Sequence, residues 1–129
     1  MVCTRATIGE MAISQHEMCT NQGFKNLIPN KKANVDFIYY LMCFSKHKLV
    51  SKASGSTFLE LSKKDFEQLR FKVPEVKEQQ KIASVLTAAD QEIELLEAKL
   101  AHLKDEKKAL MQHLLTGKRR VKVDAAEVA

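Results

Sequence analysis

The chain has 129 residues, 45% of them hydrophobic, with three cysteines and a formal net charge of +5. That length fits one domain of ordinary size, and the longest apolar run, 37–44, is far too short to span a bilayer, so neither a membrane span nor a leader segment is expected. Cys3, Cys19 and Cys43 are widely spaced and contain no CxxC pair, which excludes a disulfide framework and a zinc knuckle and points to reduced thiols in a cytoplasmic protein.

The first thirty residues read as short β segments, Val2-Cys3-Thr4, Met11-Ala12-Ile13 and 24–28, punctuated by Gly9, Asn21-Gln22-Gly23 and Pro29-Asn30. Asn34 is placed to N-cap a helix carrying Phe37, Ile38, Leu41, Met42 and Leu49 on one face. Ser54-Gly55-Ser56-Thr57 reads as a loop, and Ser62 with Asp65 three residues on reads as a capping box for a short helical turn. Leu69-Arg70-Phe71-Lys72-Val73 alternates like a strand closed by Pro74. Pro74, Glu75 and Glu78 then suit a helix start, and Gly117 suits its end.

Between these two signals runs a heptad repeat. Its a positions are Gln79, Leu86, Ile93, Leu100, Lys107 and Leu114, and its d positions are Ile82, Ala89, Leu96, Leu103 and Leu110, so only Gln79 and Lys107 interrupt an apolar seam. A helix of this pattern cannot bury its seam alone. In a parallel homodimer Lys107 would face its own copy. Run antiparallel, with facing numbers summing to 196, the layers become Ile82 with Leu114, Leu86 with Leu110, Ala89 with Lys107, Ile93 with Leu103, and Leu96 with Leu100. Alanine then leaves room for the lysine stem to lie along the seam and lift its ammonium to water, so antiparallel pairing is expected, with itself or with a closely similar helix.

Charge is distributed unevenly. Residues 1–74 hold eleven Lys and Arg against six Asp and Glu, residues 75–115 six against eight, and residues 116–129 four against two. Positive charge therefore sits off the long helix, where a phosphate backbone could be met. The candidates for DNA contact are Arg5, Gln22, Lys25, Lys52, Ser54, Ser56, Thr57, Lys63 and Lys64; their chemistry suits phosphates, and Arg5 and Gln22 can also make paired hydrogen bonds to base edges. Enzymatic motifs do not assemble. Gly117-Lys118 follows a helix instead of opening one, Cys43 and His47 stand four apart without further ligands, and His16 with Cys19 lacks a third partner. No catalytic residue, metal or cofactor is expected.

Residues 74–121, with the run Glu78-Gln79-Gln80-Lys81-Ile82-Ala83 and the ending Leu110-Met111-Gln112-His113-Leu114-Leu115-Thr116-Gly117-Lys118, closely resemble the spacer helix of the specificity subunits of type I restriction-modification enzymes. Thr4-Arg5-Ala6-Thr7-Ile8-Gly9, Asn21-Gln22-Gly23-Phe24, the 37–41 helix and Ala53-Ser54-Gly55-Ser56-Thr57 are similar to the later half of that family's target-recognition domain. The resemblance implies a non-catalytic DNA-reading subunit: two recognition domains held apart by antiparallel helices, each reading half of a split sequence, with methyltransferase subunits docked on the helices and the restriction subunit reached through them. A complete family subunit has two recognition domains and two spacer helices, whereas this chain has at most one of each and lacks the part that would precede Met1.

The expected architecture is α+β: a partial target-recognition domain over residues 1–74, a long coiled-coil helix over 75–117, and a basic, frayed tail over 118–129. A homodimer would restore the two-fold arrangement, since a helix of about 40 residues spans roughly 60 Å and carries its ends within two turns of duplex DNA. A symmetric dimer would then take a split palindrome. The alternative is an assembly protein that keeps helix pairing without DNA reading.

Overall fold

The computed structural model describes residues 1–55 and 59–122. The elements in chain order are β1 (Val2–Cys3), β2 (Phe24–Lys25), α1 (Val35–Phe44), α2 (Lys46–Lys52), α3 (Lys63–Glu67) and α4 (Val76–Leu115), an α+β composition with one long helix at the end. The chain divides into two compact units, one closing at Ala88 and the other opening at Ala89.

The sheet is small. β1 and β2 pair antiparallel with Val2 opposite Lys25 and Cys3 opposite Phe24, and Met11 adds an isolated antiparallel bridge to Val2 on the other side of β1. Of the three β segments expected here, the first pairs over two residues. The second contributes the Met11 bridge and an Ala12 N–H to Met1 carbonyl bond of 3.1 Å, and the third stops at Lys25. Beyond Lys25 the Asn26 side-chain amide donates to Thr20 Oγ1, and further on Pro29 has no N–H to offer a ladder. Gly9 turns the chain back beside β1 at φ +87°; a Cβ there would meet Lys46 Cγ at 2.6 Å, so the position demands glycine.

Helical punctuation follows local chemistry. Asn34 N-caps α1, its side chain accepting from the Phe37 N–H at 2.9 Å, and Ser62 caps α3 by accepting from the Asp65 N–H at 3.1 Å. The helix expected after Asn34 ends at Phe44, and Leu49 lies on a second one. Ser45, buried at the junction with φ −92° and ψ 13°, gives its N–H to both Leu41 and Met42 carbonyls and breaks the helix, after which α2 buries Leu49. Leu49 and Leu61 are fully enclosed and join Val2, Ile8 and Met42 in the core, with Met11, Ile38, Ala53, Phe66, Leu69 and Phe71 packed around them. Residues 69–73 form no strand. Leu69 and Phe71 still pack against the core as their spacing demands, but among the described residues no strand pairs with them.

α4 begins where Glu75 accepts the Gln79 N–H at 2.9 Å, and its first turns bury Gln79 and Ala83 within the first unit. It stops at Gly117, φ +73°, whose N–H returns to the Leu114 carbonyl at 3.2 Å while that of Arg119 returns to His113 at 3.0 Å, satisfying the last carbonyls. The seam residues from Ile82 to Leu114 are open in the single chain: Ile82 is 37% exposed, Ile93 51% and Leu100 51%. Gln79 departs from the expected seam, because its side chain is enclosed by the chain's own fold. Among the described residues no helix is long and apolar enough to cross a membrane.

Candidate nucleic-acid interface

Thr4, whose side chain is fully buried, lies in a network that includes four of the residues expected to contact DNA: Lys25 directly, Gln22 through Lys25, and Arg5 and Ser54 through Glu60 beside Leu61. Thr4 donates its N–H and its hydroxyl to the Gly23 carbonyl at 2.8 and 3.1 Å, and its own carbonyl accepts the Leu61 N–H at 2.9 Å. One residue thereby ties the 4–7 turn, the 21–23 turn and the chain entering α3. Lys25, leaving β2, reaches back with Nζ 3.4 Å from both Thr4 Oγ1 and the Gln22 carbonyl. Gln22 itself is exposed at the apex of a turn closed by Asn21 Oδ1 accepting the Gly23 N–H at 2.9 Å.

Arg5 lies beside these groups. Its backbone bridges Glu60, Glu60 bridges Ser54 through two backbone hydrogen bonds of 2.9 and 3.0 Å, and Arg5 Nε stands 3.9 Å from Glu60 Oε2. Both side chains of that ion pair are about half exposed, so it is worth only tenths of a kcal/mol and leaves the guanidinium ready to exchange a carboxylate for a phosphate or a base edge. The turn under Arg5 is tight: Ala6 has φ 63°, in the left-handed region that a Cβ disfavours by about 1–2 kcal/mol, and the Thr7 N–H closes back on the Arg5 carbonyl at 2.8 Å. Cys3 braces it, with Sγ 3.1 Å from the Arg5 carbonyl and 3.3 Å from Thr7 Oγ1. Burial raises the pKa of this thiol, but its hydrogen bonds with Thr7 and with the backbone outweigh burial and leave it below the ordinary value.

The remaining candidates stand differently. Lys52 is exposed in the last turn of α2, two residues before Ser54; Lys63 pairs with Glu67 at 3.7 Å on α3, and Lys64 is exposed next to it. Ser56 and Thr57 lie outside the described residues. Sequence reasoning passed over Thr4 and Glu60, since nothing local marks a residue whose partners lie about 20 and 55 positions away. The Asn21-Gln22-Gly23 turn did carry a local signal, and it is the part of the site that was visible.

On the far side of β1 lies a groove of about 620 Å³, lined mainly by apolar side chains including Met11, Ile13, Met18, Leu27 and Val35. Among the described residues no backbone-to-backbone bond outside the helices and the ladder involves residues 13–19 or 26–29. No cluster of three His, Cys, Asp or Glu suited to a metal occurs among the described residues.

A small sheet with a polar rim of turns is followed by one long helix, and residues 1–105 match the family described as the type I restriction modification DNA specificity domain. The chain belongs to that family. It is 32% identical over 123 residues to the specificity subunit named for the MjaX type I restriction enzyme of Methanocaldococcus jannaschii, covering 95% of this chain and 29% of that protein. It is 38% identical over 99 residues to the MjaIX type I restriction enzyme specificity subunit of the same organism, covering 73% of this chain and 22% of the relative. The chain thus spans less than a third of the length of these curated relatives.

Proposed function

We propose that this chain is a non-catalytic DNA sequence-recognition module of a cytoplasmic type I restriction-modification system, acting as one half of a two-fold reader. In this reading residues 1–74 form a partial target-recognition domain, 75–117 the spacer helix and 118–129 a basic tail. Arg5, Gln22, Lys25, Lys52, Ser54, Ser56, Thr57, Lys63 and Lys64 contact DNA, with Arg5 and Gln22 reading bases and the lysines meeting phosphates. The seam from Ile82 to Leu114 pairs antiparallel with a second copy or a similar helix, and methyltransferase subunits dock on the paired helices, linking the module to the restriction subunit. The observation that carries this is that Arg5, Gln22, Lys25 and Ser54, whose chemistry suits DNA, belong to one network of turns linked through Thr4 and Glu60.

The test is a fluorescence titration of a random duplex and of duplexes enriched by selection, with salt varied between about 50 and 200 mM. The expected result is affinity that falls steeply with salt and differs between sequences by at least about a hundredfold. A second reading, an assembly protein that pairs helices without reading DNA, is favoured by the shortness of the sheet and the open apolar groove. Absence of duplex binding at low salt, with helix pairing retained, would establish it instead.

A further inference from the structure

The start of α4 presents two different faces. Val76, Gln79, Ala83 and Thr87 lie within about 80° of one another on the side turned toward the globular part of the first unit, and the seam residues Ile82, Leu86 and Ala89 continue round the helix from Gln79, which is about 20° from Leu86. On the inward side the most enclosed group is polar. Gln79 is 1% exposed and spends its whole amide on the chain around it: Oε1 accepts the Asn34 N–H at 2.9 Å, and Nε2 donates to the Lys32 carbonyl at 3.2 Å and the Pro74 carbonyl at 2.8 Å. One side chain therefore joins three backbone points, the N-cap of α1, the loop before it and the segment entering α4. Two turns further on, Tyr40 Oη and Thr87 Oγ1 stand 3.3 Å apart, a second polar contact between α1 and α4.

An apolar side chain would fill this position with less desolvation. What an apolar contact cannot supply is direction, since burial is non-directional while three hydrogen bonds to fixed backbone atoms hold a helix against both tilt and rotation. We propose that Gln79 is a positioning residue that locks the angle at which the spacer helix leaves the reading end, and through that angle sets the spacing of a bipartite DNA site. From Gln79 to residue 98, the midpoint of the antiparallel register, a straight helix runs about 28 Å, so a tilt of about 10° displaces the reading end by about 5 Å. Base pairs repeat every 3.4 Å or so, and that displacement exceeds one step.

The consequence for spacing rests on the DNA-reading function proposed above; the lock itself does not. Both are tested with Gln79→Leu, which keeps volume and removes all three hydrogen bonds, and with the milder Thr87→Val, which keeps the fold if the first variant unfolds. Nitroxide labels at Phe44→Cys on α1 and Val85→Cys on α4, both exposed, are placed in a chain with its three native cysteines changed to serine. Pulsed electron–electron distance measurement is expected to give a narrow distribution in the parent chain, one at least twice as wide in Gln79→Leu, and an intermediate one in Thr87→Val. Widths unchanged in both variants overturn the lock. In parallel, selection from a library of bipartite duplexes with varied spacers is expected to show the parent preferring one spacing over its neighbours by about tenfold, the size of one mismatched base pair. Gln79→Leu should flatten that preference to within about threefold while the selected half-site bases stay the same. A spacing preference that persists beside widened label distances overturns the role in spacing. Failure of the parent to bind any duplex overturns the DNA-reading function, and the label distances still decide the lock.

Discussion

At the scale of single residues, the rim around Thr4 depends on one hydroxyl that is buried, donates to Gly23 and receives the Lys25 ammonium. Thr4→Val keeps the shape and removes the hydroxyl's two contacts, while the Gly23 carbonyl keeps the Thr4 N–H and Lys25 keeps the Gln22 carbonyl, so it should cost about 1 kcal/mol, read as a lower urea midpoint with an unchanged slope. A midpoint equal to the parent's would mean that the hydroxyl does not hold the turns together. Arg5 and Glu60 make a sharper pair of tests. Their exposed ion pair adds little to stability, so Glu60→Gln should leave the midpoint within about 0.5 kcal/mol. It also removes a negative charge from the rim, so affinity for random duplex should rise and fall more steeply with salt. Arg5→Ala should do the reverse, flattening the salt slope by about one and relaxing selection at one base position if Arg5 reads a base. Identical slopes in both variants would remove Arg5 from the interface.

At the scale of elements, caps were legible and pairings were not. Asn34 and Ser62 act through bonds to the residue three positions on, so the signal and its partner sit in the same short window. Asn34→Ala should therefore cost about 1 kcal/mol in chemical denaturation, and a cost near zero would show that α1 is held by its packing alone. Strand extent is a different matter. Whether 24–28 or 69–73 pairs depends on what lies alongside, which alternation cannot report, and here β2 ends after Lys25 while Leu69 and Phe71 pack without a ladder. The break at Ser45 was likewise hidden, because the apolar spacing continues through it. Gln79 looked like a flaw in a heptad and is a tether to residues 45 and 47 positions upstream. For the seam, cysteines at Ile82 and Leu114 should cross-link one copy's 82 to the other's 114 in the paired helices. Products joining 82 to 82 would reverse the register derived from Lys107 and Ala89.

At the scale of the whole molecule, the division of labour is between a small globular part and a helix whose apolar seam stays open to solvent in the single chain. Leu96→Glu places a carboxylate in the layer that the antiparallel register pairs with Leu100, at a position 55% exposed in the monomer. The expected outcome is a monomer by sedimentation with circular dichroism and urea midpoint close to the parent's, and loss of the preference for two half-sites over one. A dimer that survives this change would move the association surface elsewhere, the apolar groove beside β1 being the next place to look.

The two faces at the base of α4 also bear on inheritance. In the proposed reading, substitutions along Ile82, Leu86 and the seam beyond would change which helix is accepted, whereas those at Gln79, Ala83 and Thr87 would change how α4 is mounted on the first unit. Gln79 stands at the edge of both sets, only about 20° round the helix from Leu86, while Ala83 and Thr87 lie well clear of the seam, so drift at those two need not be matched by drift along it. If the seam pairs as proposed, such a chain could acquire a new companion while its grip on its own globular part, through Gln79, Ala83 and Thr87, is kept.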